Sequence, residues 1–146
     1  MILIISPESW AAHPVSKHHY ARTLAAKGHN VYFVDPPSAA LQGPSAEVAD
    51  KDTGLGIIRG PRVAPGLRRM PSRFRRALEA RWVRSVERLI GRGVDVIWLF
   101  ENSRFFDLRF ACNRLKIYHQ VDLDMRFHPA IAASTADIAF CTTDHI

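Results

Sequence analysis

The chain has 146 residues, which is a usual length for one domain with its own hydrophobic core. With 47% hydrophobic and 23% charged residues, it is not a disordered, collagen-like or disulfide-dense protein. No apolar run approaches the roughly 20 residues of a membrane-spanning helix, and no signal peptide is recognisable. Cys112 and Cys141 lack metal-ligand spacing, so we predict free thiols in a reducing compartment. The net charge of +6 indicates an anionic partner without identifying it.

The positive charge is concentrated in one segment of the chain. Between Arg59 and Arg92 there are 11 arginines and two acidic residues, so this segment carries +9. The remainder has nine cations and 12 acidic residues and therefore carries −3. The sequence thus predicts a near-neutral domain with one basic segment, and any anionic partner is expected to bind there.

Short apolar runs alternate with helical patterns along the chain. Buried strands are predicted at residues 2–5, 31–34, 94–100, 116–120 and 138–142, with a weaker one at 55–59. Helices are predicted at residues 17–27, 73–90 and 126–134, with a short one at 105–112. Loops are predicted at residues 38–54 and 61–71. Because the apolar strands are continuous, we expect an α/β fold: a doubly wound, mostly parallel Rossmann-like sheet with helices on both faces.

Apolar stripes predict the buried faces of two helices. In the first helix, Tyr20, Ala21, Leu24 and Ala25 share one face, and Ser16 is expected to cap its start. In the longest helix, apolar residues at spacings of four and three are predicted to face the core: Phe74, Leu78, Trp82, Val86 and Leu89.

The turn after the first strand contains no glycine. Residues 6–10 read SPESW, and the first glycine of the chain is Gly28. The glycine-rich turns through which dinucleotide-binding domains and P-loops hold phosphates are therefore absent. We do not expect NAD, FAD or ATP to bind by those routes. A ligand is expected elsewhere at the carboxyl edge of the sheet.

Two regions of the sequence follow the pattern of a known family. Residues 18–37 read HHYARTLAAKGHNVYFVDPP, and residues 116–122 and 136–143 read KIYHQVD and ADIAFCTT. The first resembles the run H-x-x-A-x-x-L-A-x-x-G-H-x-V-x-x-V-x-P-P of GT-B glycosyltransferases, especially those of bacterial cell-surface polysaccharides. The other two are similar to the K-x-x-Y-x-x-x-D and A-D-x-V-x-x-x-S strands of that family. Many members have His where this chain has Val121.

The resemblance implies an N-terminal, acceptor-binding domain of a two-domain enzyme. Such an enzyme moves a sugar from a nucleotide-sugar donor to a glycan or lipid-linked acceptor in cell-envelope polysaccharide synthesis. The donor is expected in a second domain after Ile146, so we expect no cofactor within residues 1–146 and no activity of this part alone. The last strand lies close to the end of the chain, where another crossover helix is expected, which indicates a fragment. We expect a cytoplasmic protein, peripheral on the inner face of the plasma membrane.

Asp122 is the first candidate for a catalytic base. An inverting sugar transfer needs a carboxylate or His to take the proton of the acceptor hydroxyl. Asp122 follows an apolar strand and is expected at the carboxyl edge of the sheet. Asp124 is less well suited, because a solvated loop acid explains it. The alternative for Asp122 is a side chain that caps the next turn.

Five polar or aromatic residues are predicted at the same edge, where they could bind the acceptor: Trp10, His13, His19, Glu101 and Asn102. The alternatives are a Trp that packs the first loop onto the sheet, a loop that merely begins with polar residues, and a surface His at a helix start. His19 is favoured over His18. No pair among the seven histidines has the spacing of a helical metal site with acidic partners, so no metal is expected.

The basic segment predicts a surface for anionic lipid headgroups, formed by Arg68, Arg69, Arg73, Arg81, Arg84 and Arg88. Each arginine near such a surface contributes about 1 kcal/mol. The alternative is a solvated helix face. Nucleic acid is not expected, because no helix-turn-helix, stacking-strand or zinc-finger motif is present. The competing function is a non-catalytic, basic Rossmann-like module that docks on an anionic membrane, nucleic acid or protein surface.

Overall fold

The computed structural model describes residues 1–101, 103–121 and 128–141. These residues form seven strands: β1 (Ile2–Ile5), β2 (Val31–Val34), β3 (Ser45–Asp50), β4 (Leu55–Arg59), β5 (Val96–Leu99), β6 (Leu115–Gln120) and β7 (Ile138–Cys141). The same residues form three α-helices: α1 (Ser16–Ala26), α2 (Ser72–Ile90) and α3 (Pro129–Thr135). Two short 3₁₀ helices span Leu67–Arg69 and Leu108–Phe110. No helix within the described ranges is both long enough and apolar enough to cross a membrane.

All seven strands belong to one sheet, in the order β3-β4-β2-β1-β5-β6-β7. The pairs are parallel except β3 with β4, which are antiparallel. At the centre, Ile2 of β1 is in register with Val31 of β2 and with Val96 of β5. The prediction of an α/β fold with a mostly parallel sheet is confirmed.

The central strand β1 is buried on both sides. Leu3 and Ile5 belong to a core cluster that includes Val86 of α2. Ile4 belongs to a second cluster, which includes Ala21 of α1. Successive side chains of a strand point to opposite faces of its sheet, so the two clusters lie on opposite sides of β1. This explains why the strand is apolar at every position.

The edge strand β3 corrects the prediction that residues 38–54 are a loop. From Ser45 to Ala49 every residue is exposed, so the strand has no apolar face that a hydrophobic pattern could reveal. A register shift between Val48 and Asp50 also interrupts its pairing with β4. Such irregularities are common at sheet edges, where they discourage further strand pairing.

Helix α1 starts differently from the prediction. Its N-cap is Val15, and Ser16 is the first helical residue. Val15 has no capping oxygen in its side chain, but Nδ1 of His18 accepts a hydrogen bond from the Val15 N–H at 3.2 Å. Nε2 of His18 lies 3.2 Å from the carbonyl oxygen of Ser9 and therefore carries the proton in this arrangement. The buried His18 thus replaces the missing cap.

The buried face of α1 is also rotated from the predicted one. Its buried residues are Lys17, His18, Ala21 and Ala25, whereas Tyr20 is 39% exposed. Lys17 is buried because its ammonium group forms an ion pair with Glu8 in the first loop. An apolar count cannot detect a lysine that is buried by such a pair.

In helix α2 the buried face also differs from the predicted one, and it includes more charged residues than that of α1. Its buried residues are Arg75, Glu79, Val83 and Val86, whereas Phe74 and Leu89 of the predicted stripe are 53% and 43% exposed. The predicted stripe is therefore wrong at both ends, and the true face includes two charged residues. One of them, Arg75, is compensated in the interior by an ion pair with Asp107, which follows β5.

Two elements after α2 are shorter than predicted. The strand predicted at residues 94–100 is β5, and the helix predicted at 105–112 is only the 3₁₀ turn Leu108–Phe110. Helix α3 has Pro129 at its first position, where a missing N–H costs nothing. Cys112 and Cys141 are free, as predicted, and both are exposed.

Candidate functional site

A cavity of about 810 Å³ lies beyond the carboxyl ends of β2, β4 and β5. Segments that follow these strands line it: Val34 to Pro37 after β2, residues 58–69 after β4, and residues 103–105 after β5. Trp82 of α2 and His128 complete the wall. The carboxyl edge of a parallel sheet is where ligands of α/β domains bind. The sequence predicts a binding site at the carboxyl edge of the sheet, and a cavity lies at that edge.

The charged lining of this cavity is strongly basic. The described residues contribute one carboxylate, Asp35, and five arginines: Arg59, Arg62, Arg68, Arg69 and Arg104. An excess of positive charge inside a concave surface attracts anions and raises their local concentration.

Asp35 follows β2 directly and links the first loop, which runs from β1 to α1, to strand β4. Its Oδ1 accepts a hydrogen bond from the N–H of Trp10 at 2.7 Å, and its Oδ2 accepts from Ser9 Oγ at 3.1 Å. Nε of Arg59 donates to the same Oδ2 at 3.0 Å. Asp35 is only 6% exposed, so both carboxylate oxygens are used within the protein. This carboxylate positions other groups and has little capacity left for a ligand.

Arg59 lies between two carboxylates. Besides Asp35, it forms an ion pair with Glu47 of β3 through Nη1. The hydrogen bond that Arg59 donates to Asp35, with the charge of Glu47, raises the pKa of Arg59 above its usual value although burial opposes this. Arg59 is thus always charged, and its charge is already balanced.

Arg104 joins the carboxyl ends of three neighbouring strands. Its Nε donates to Oε1 of Glu101 at 2.8 Å, and its Nη2 donates to the carbonyl oxygen of Ser6 at 2.7 Å. Its Nη1 reaches the carbonyl oxygen of Asp35 at 3.4 Å. Glu101 also accepts a hydrogen bond from Ser103 Oγ at 3.2 Å. The segments after β1, β2 and β5 are therefore held together by one side chain.

Arg62 and Arg69 differ from these arginines. Both line the cavity and both are exposed. Within the described ranges neither makes an ion pair or a side-chain hydrogen bond. The cavity therefore keeps two guanidinium groups that no described carboxylate neutralises.

Four of the predicted acceptor-binding residues are described, and they lie outside the lining of this cavity: Trp10, His13, His19 and Glu101. Trp10 packs its ring 5.2 Å from that of His18 and 5.1 Å from that of Phe33, with the guanidinium of Arg22 at 4.8 Å. It thus attaches the first loop to the sheet, which is the alternative considered for it. Glu101 is buried and holds Arg104.

The remaining predicted residues divide into two groups. His13 and His19 are exposed, whereas the neighbouring His18 is buried and structural. Asp122, Asp124 and Asn102 lie outside the described residues.

The predicted membrane-surface residues are all at the surface. Arg73, Arg81, Arg84 and Arg88 are exposed on α2, at spacings that place them on one side of a helix. Arg68 and Arg69 are exposed as well, and they also line the cavity. No cluster of metal-ligating side chains occurs in the described part of the chain.

Sequence reasoning missed Asp35, Arg59, Arg62 and Arg104 as residues of the site. A signal was present for two of them, since Asp35 and Arg104 follow buried strands at the same edge that singled out Glu101. The two prolines after Asp35 predict only the end of a strand. For Arg59 and Arg62 the sequence offered only the general excess of arginine.

Comparison of the chain with protein-family models, with curated proteins and with solved structures gave no match.

Proposed function

We propose that the chain is the acceptor-binding domain of a GT-B-type sugar transferase, acting in cell-envelope polysaccharide synthesis with a nucleotide sugar as donor. One observation carries this proposal: the sequence motif that resembles the family contributes residues to the wall of the cavity. Residues 18–37, which resemble the family, form most of α1 and all of β2, and their carboxyl end lines the cavity through Val34, Asp35 and Pro37. An acceptor bound there would lie at the edge of the sheet that such enzymes use.

The fold supports this proposal if the sheet is doubly wound. The two core clusters on opposite sides of β1 contain residues of α1 and of α2 respectively, which favours helices on both faces. In a doubly wound sheet with the parallel order β4-β2-β1-β5-β6, the winding direction would change between β1 and β5, near the cavity.

Asp122 remains the proposed base of this reaction. In the sequence it comes two residues after the end of β6, a strand that pairs with β5 in the sheet. In an inverting transfer its carboxylate would accept the proton of the attacking hydroxyl. The donor is proposed to bind to a second domain, so we expect no turnover when residues 1–146 alone receive nucleotide sugars.

Peripheral contact with an anionic membrane is the second proposed property. The exposed arginines on one side of α2 favour it, together with Phe74, which is 53% exposed beside Arg73. A basic helix face with an exposed aromatic side chain is typical of a surface that lies on lipid headgroups. This surface would hold the cavity near a lipid-linked acceptor.

Acceptor binding can be tested by filling the cavity. Ala64 lines the cavity, so Ala64→Trp is expected to weaken binding of a lipid-linked or oligosaccharide acceptor at least tenfold. Isothermal titration measures this binding. Ala77→Trp adds the same volume on the exposed side of α2 and is expected to bind like the parent chain. Equal binding by both variants, or no saturable binding of any acceptor, contradicts the proposal.

A further inference from the structure

We propose that the cavity at the carboxyl edge is a site for a phosphate ester, whose phosphate is bound by Arg62 and Arg69. This proposal rests on the proposed function and narrows its acceptor from any glycan or lipid-linked molecule to a phosphorylated one. Only the biological identity of the ligand rests on the proposed function. The chemistry of the site rests on the charges and walls of the cavity.

The first argument is the balance of charge in the cavity. Asp35 is occupied by Ser9, Trp10 and Arg59, while Arg104 is occupied by Glu101 and two carbonyl oxygens. Arg59 is balanced by two carboxylates, and Arg68 also makes an interaction of its own. Arg62 and Arg69 are left without an ion pair in the part of the chain that the structure describes. A doubly charged anion would compensate both.

The second argument is the position of these two arginines. Both belong to the segment that connects β4 to α2 and that lines much of the cavity. Arg62 lies near its start, and Arg69 ends the 3₁₀ helix Leu67–Arg69. Gly66 precedes that helix with a φ of 65°, a conformation that favours glycine and turns the chain back around the cavity. The two guanidinium groups thus come from separated points of one connecting segment.

The third argument is the chemistry of guanidinium groups. The planar guanidinium of arginine presents parallel N–H donors, which match two oxygens of one phosphate. A neutral glycan offers hydroxyl groups and would leave both charges uncompensated. The turn after β1 has no glycine, so the glycine-rich turn that binds phosphate through backbone N–H groups is absent there.

The fourth argument is the size and polarity of the remaining wall. A volume of about 810 Å³ is far more than one phosphate group occupies and lies in the range of small-molecule sites. Its apolar lining includes Ile58, Val63, Trp82 and Phe105, and the rings of Trp82 and Phe105 lie 5.1 Å apart. A ligand that combines a phosphate with an apolar or flat group therefore fits the cavity better than a free ion.

The site can be tested on the 146-residue chain by isothermal titration with four phosphate probes: inorganic phosphate, inorganic pyrophosphate, glucose 1-phosphate and geranyl phosphate. Glucose and geraniol serve as the matching neutral probes. The variant R62Q/R69Q removes both proposed ligands, and K27Q/K51Q removes the same charge from two exposed lysines outside the cavity lining. We expect phosphate esters to bind to the parent chain, at least tenfold more weakly to R62Q/R69Q, and within twofold of the parent chain to K27Q/K51Q.

The two esters distinguish a sugar phosphate from a lipid phosphate as the source of the group. Tighter binding of either ester than of free phosphate supports the site and identifies which organic part the apolar wall accepts. No saturable binding of any phosphate probe, equal losses in both double variants, or equal affinity for the neutral probes overturns the site.

Different results would contradict the phosphate site and the proposed function. If a neutral oligosaccharide binds in the cavity and phosphate esters do not, the phosphate site is wrong and the proposed function stands. If phosphate esters bind through Arg62 and Arg69 but no sugar acceptor competes with them, the site stands and the proposed function is wrong.

Discussion

Arg75 of α2 donates a hydrogen bond from Nη2 to Oδ2 of Asp107 at 3.1 Å, and both side chains are buried. Arg109 binds the same carboxylate through Nε at 2.7 Å and Nη2 at 3.0 Å. The guanidinium of Arg75 also lies 4.2 Å from the ring centre of Phe106. Helix α2 is thus joined to the segment after β5 by a buried ion pair, directly beside residues 103–105 of the cavity wall.

Removing Arg75 is expected to destabilise the fold strongly. In Arg75→Met, Asp107 keeps only the exposed Arg109 as its partner, so a buried carboxylate loses much of its compensation. Breaking such a pair from one side costs about 3 kcal/mol. Urea unfolding followed by circular dichroism measures the loss. Arg81→Met on the exposed side of α2 is the control and should change stability by less than about 0.5 kcal/mol. Similar midpoints for both variants would refute the role given to this pair.

Glu79 lies beside Arg75 but outside hydrogen-bond distance, with Nε and Oε1 3.8 Å apart. Neither carboxyl oxygen of Glu79 has a hydrogen-bond partner among the described residues, and the side chain is fully buried. Burial raises the pKa of Glu79 to about 8, although the charge of Arg75 opposes the rise. Near neutral pH this side chain is therefore protonated in the folded protein.

The pH dependence of stability follows from the raised pKa of Glu79. Since the folded state binds this proton more tightly than the unfolded state, stability is expected to fall as the pH rises from about 4.5 to about 8. Glu79→Gln carries no titrating proton, so it should flatten this dependence and be more stable at pH 8, by on the order of 1–3 kcal/mol.

Urea midpoints at pH 5, 6.5 and 8 measure this effect. Asp52→Asn changes an exposed carboxylate and should keep the pH dependence of the parent chain. If Glu79→Gln keeps the same slope as the parent chain, Glu79 is not the group responsible.

Asp35 is expected to fix the first loop as well as to stabilise the fold. In Asp35→Ala, the N–H of Trp10 and the hydroxyl of Ser9 lose their acceptor, and Arg59 keeps only Glu47. The loss of a buried carboxylate with three donors should cost about 2–4 kcal/mol. Limited proteolysis should then cut the first loop faster than in Asp52→Ala, which removes an exposed carboxylate. An unchanged cleavage rate would show that other contacts hold this loop.

Gly56 is required because of its neighbour Tyr32 on the adjacent strand. The two residues are register partners in β4 and β2, and a Cβ on Gly56 would overlap the ring of Tyr32. Gly56→Ala is expected to cost about 1–3 kcal/mol, since the ring must move within a packed sheet.

The coupling between these two residues provides the control. Gly43→Ala adds a Cβ in open space and should be close to neutral. In the Tyr32→Ala background, Gly56→Ala should lose most of its cost, which a double-mutant cycle of urea unfolding measures. Additive effects would mean that the clash with Tyr32 is not the cause.

The exposed arginines of α2 predict binding to anionic membranes. The chain should sediment with vesicles of mixed phosphatidylglycerol and phosphatidylcholine at low salt, and less at 0.5 M salt, because salt screens exposed charges. R81Q/R84Q should weaken this sedimentation severalfold, whereas K27Q/K51Q, which removes two exposed lysines, should have a smaller effect. Absence of sedimentation with anionic vesicles at low salt rules out the membrane surface.

The extent to which the sequence predicts this fold depends on what buries each element. Strands β1, β2 and β5 are covered by core residues and are thus continuous apolar runs, which the hydrophobic pattern reveals. Strand β3 has no apolar face, so no pattern marks it. The predicted face of α2 is wrong because Arg75 is buried with a partner 32 residues further along the chain, and Glu79 is buried beside it.

How far the sequence predicts the site also depends on whether its parts are local or come from distant segments. The carboxyl edge of the sheet was predicted, because strand order and edge follow from the alternation of strands and helices. The residues that build the cavity were not, since their roles depend on contacts between distant parts of the chain. Arg104 is an example, because the carbonyl oxygen it binds on Ser6 is 98 residues away in sequence.

The three links of Arg104 also divide the surroundings of the cavity into two parts. The segments after β1, β2 and β5 are tied to one another through Ser6, Asp35 and Glu101. The segment at residues 61–71, which carries Arg62 and Arg69, is outside this set of links. A ligand in the cavity would therefore lie between cross-linked strand ends and a connecting segment that is attached to the core through Val63 and Leu67.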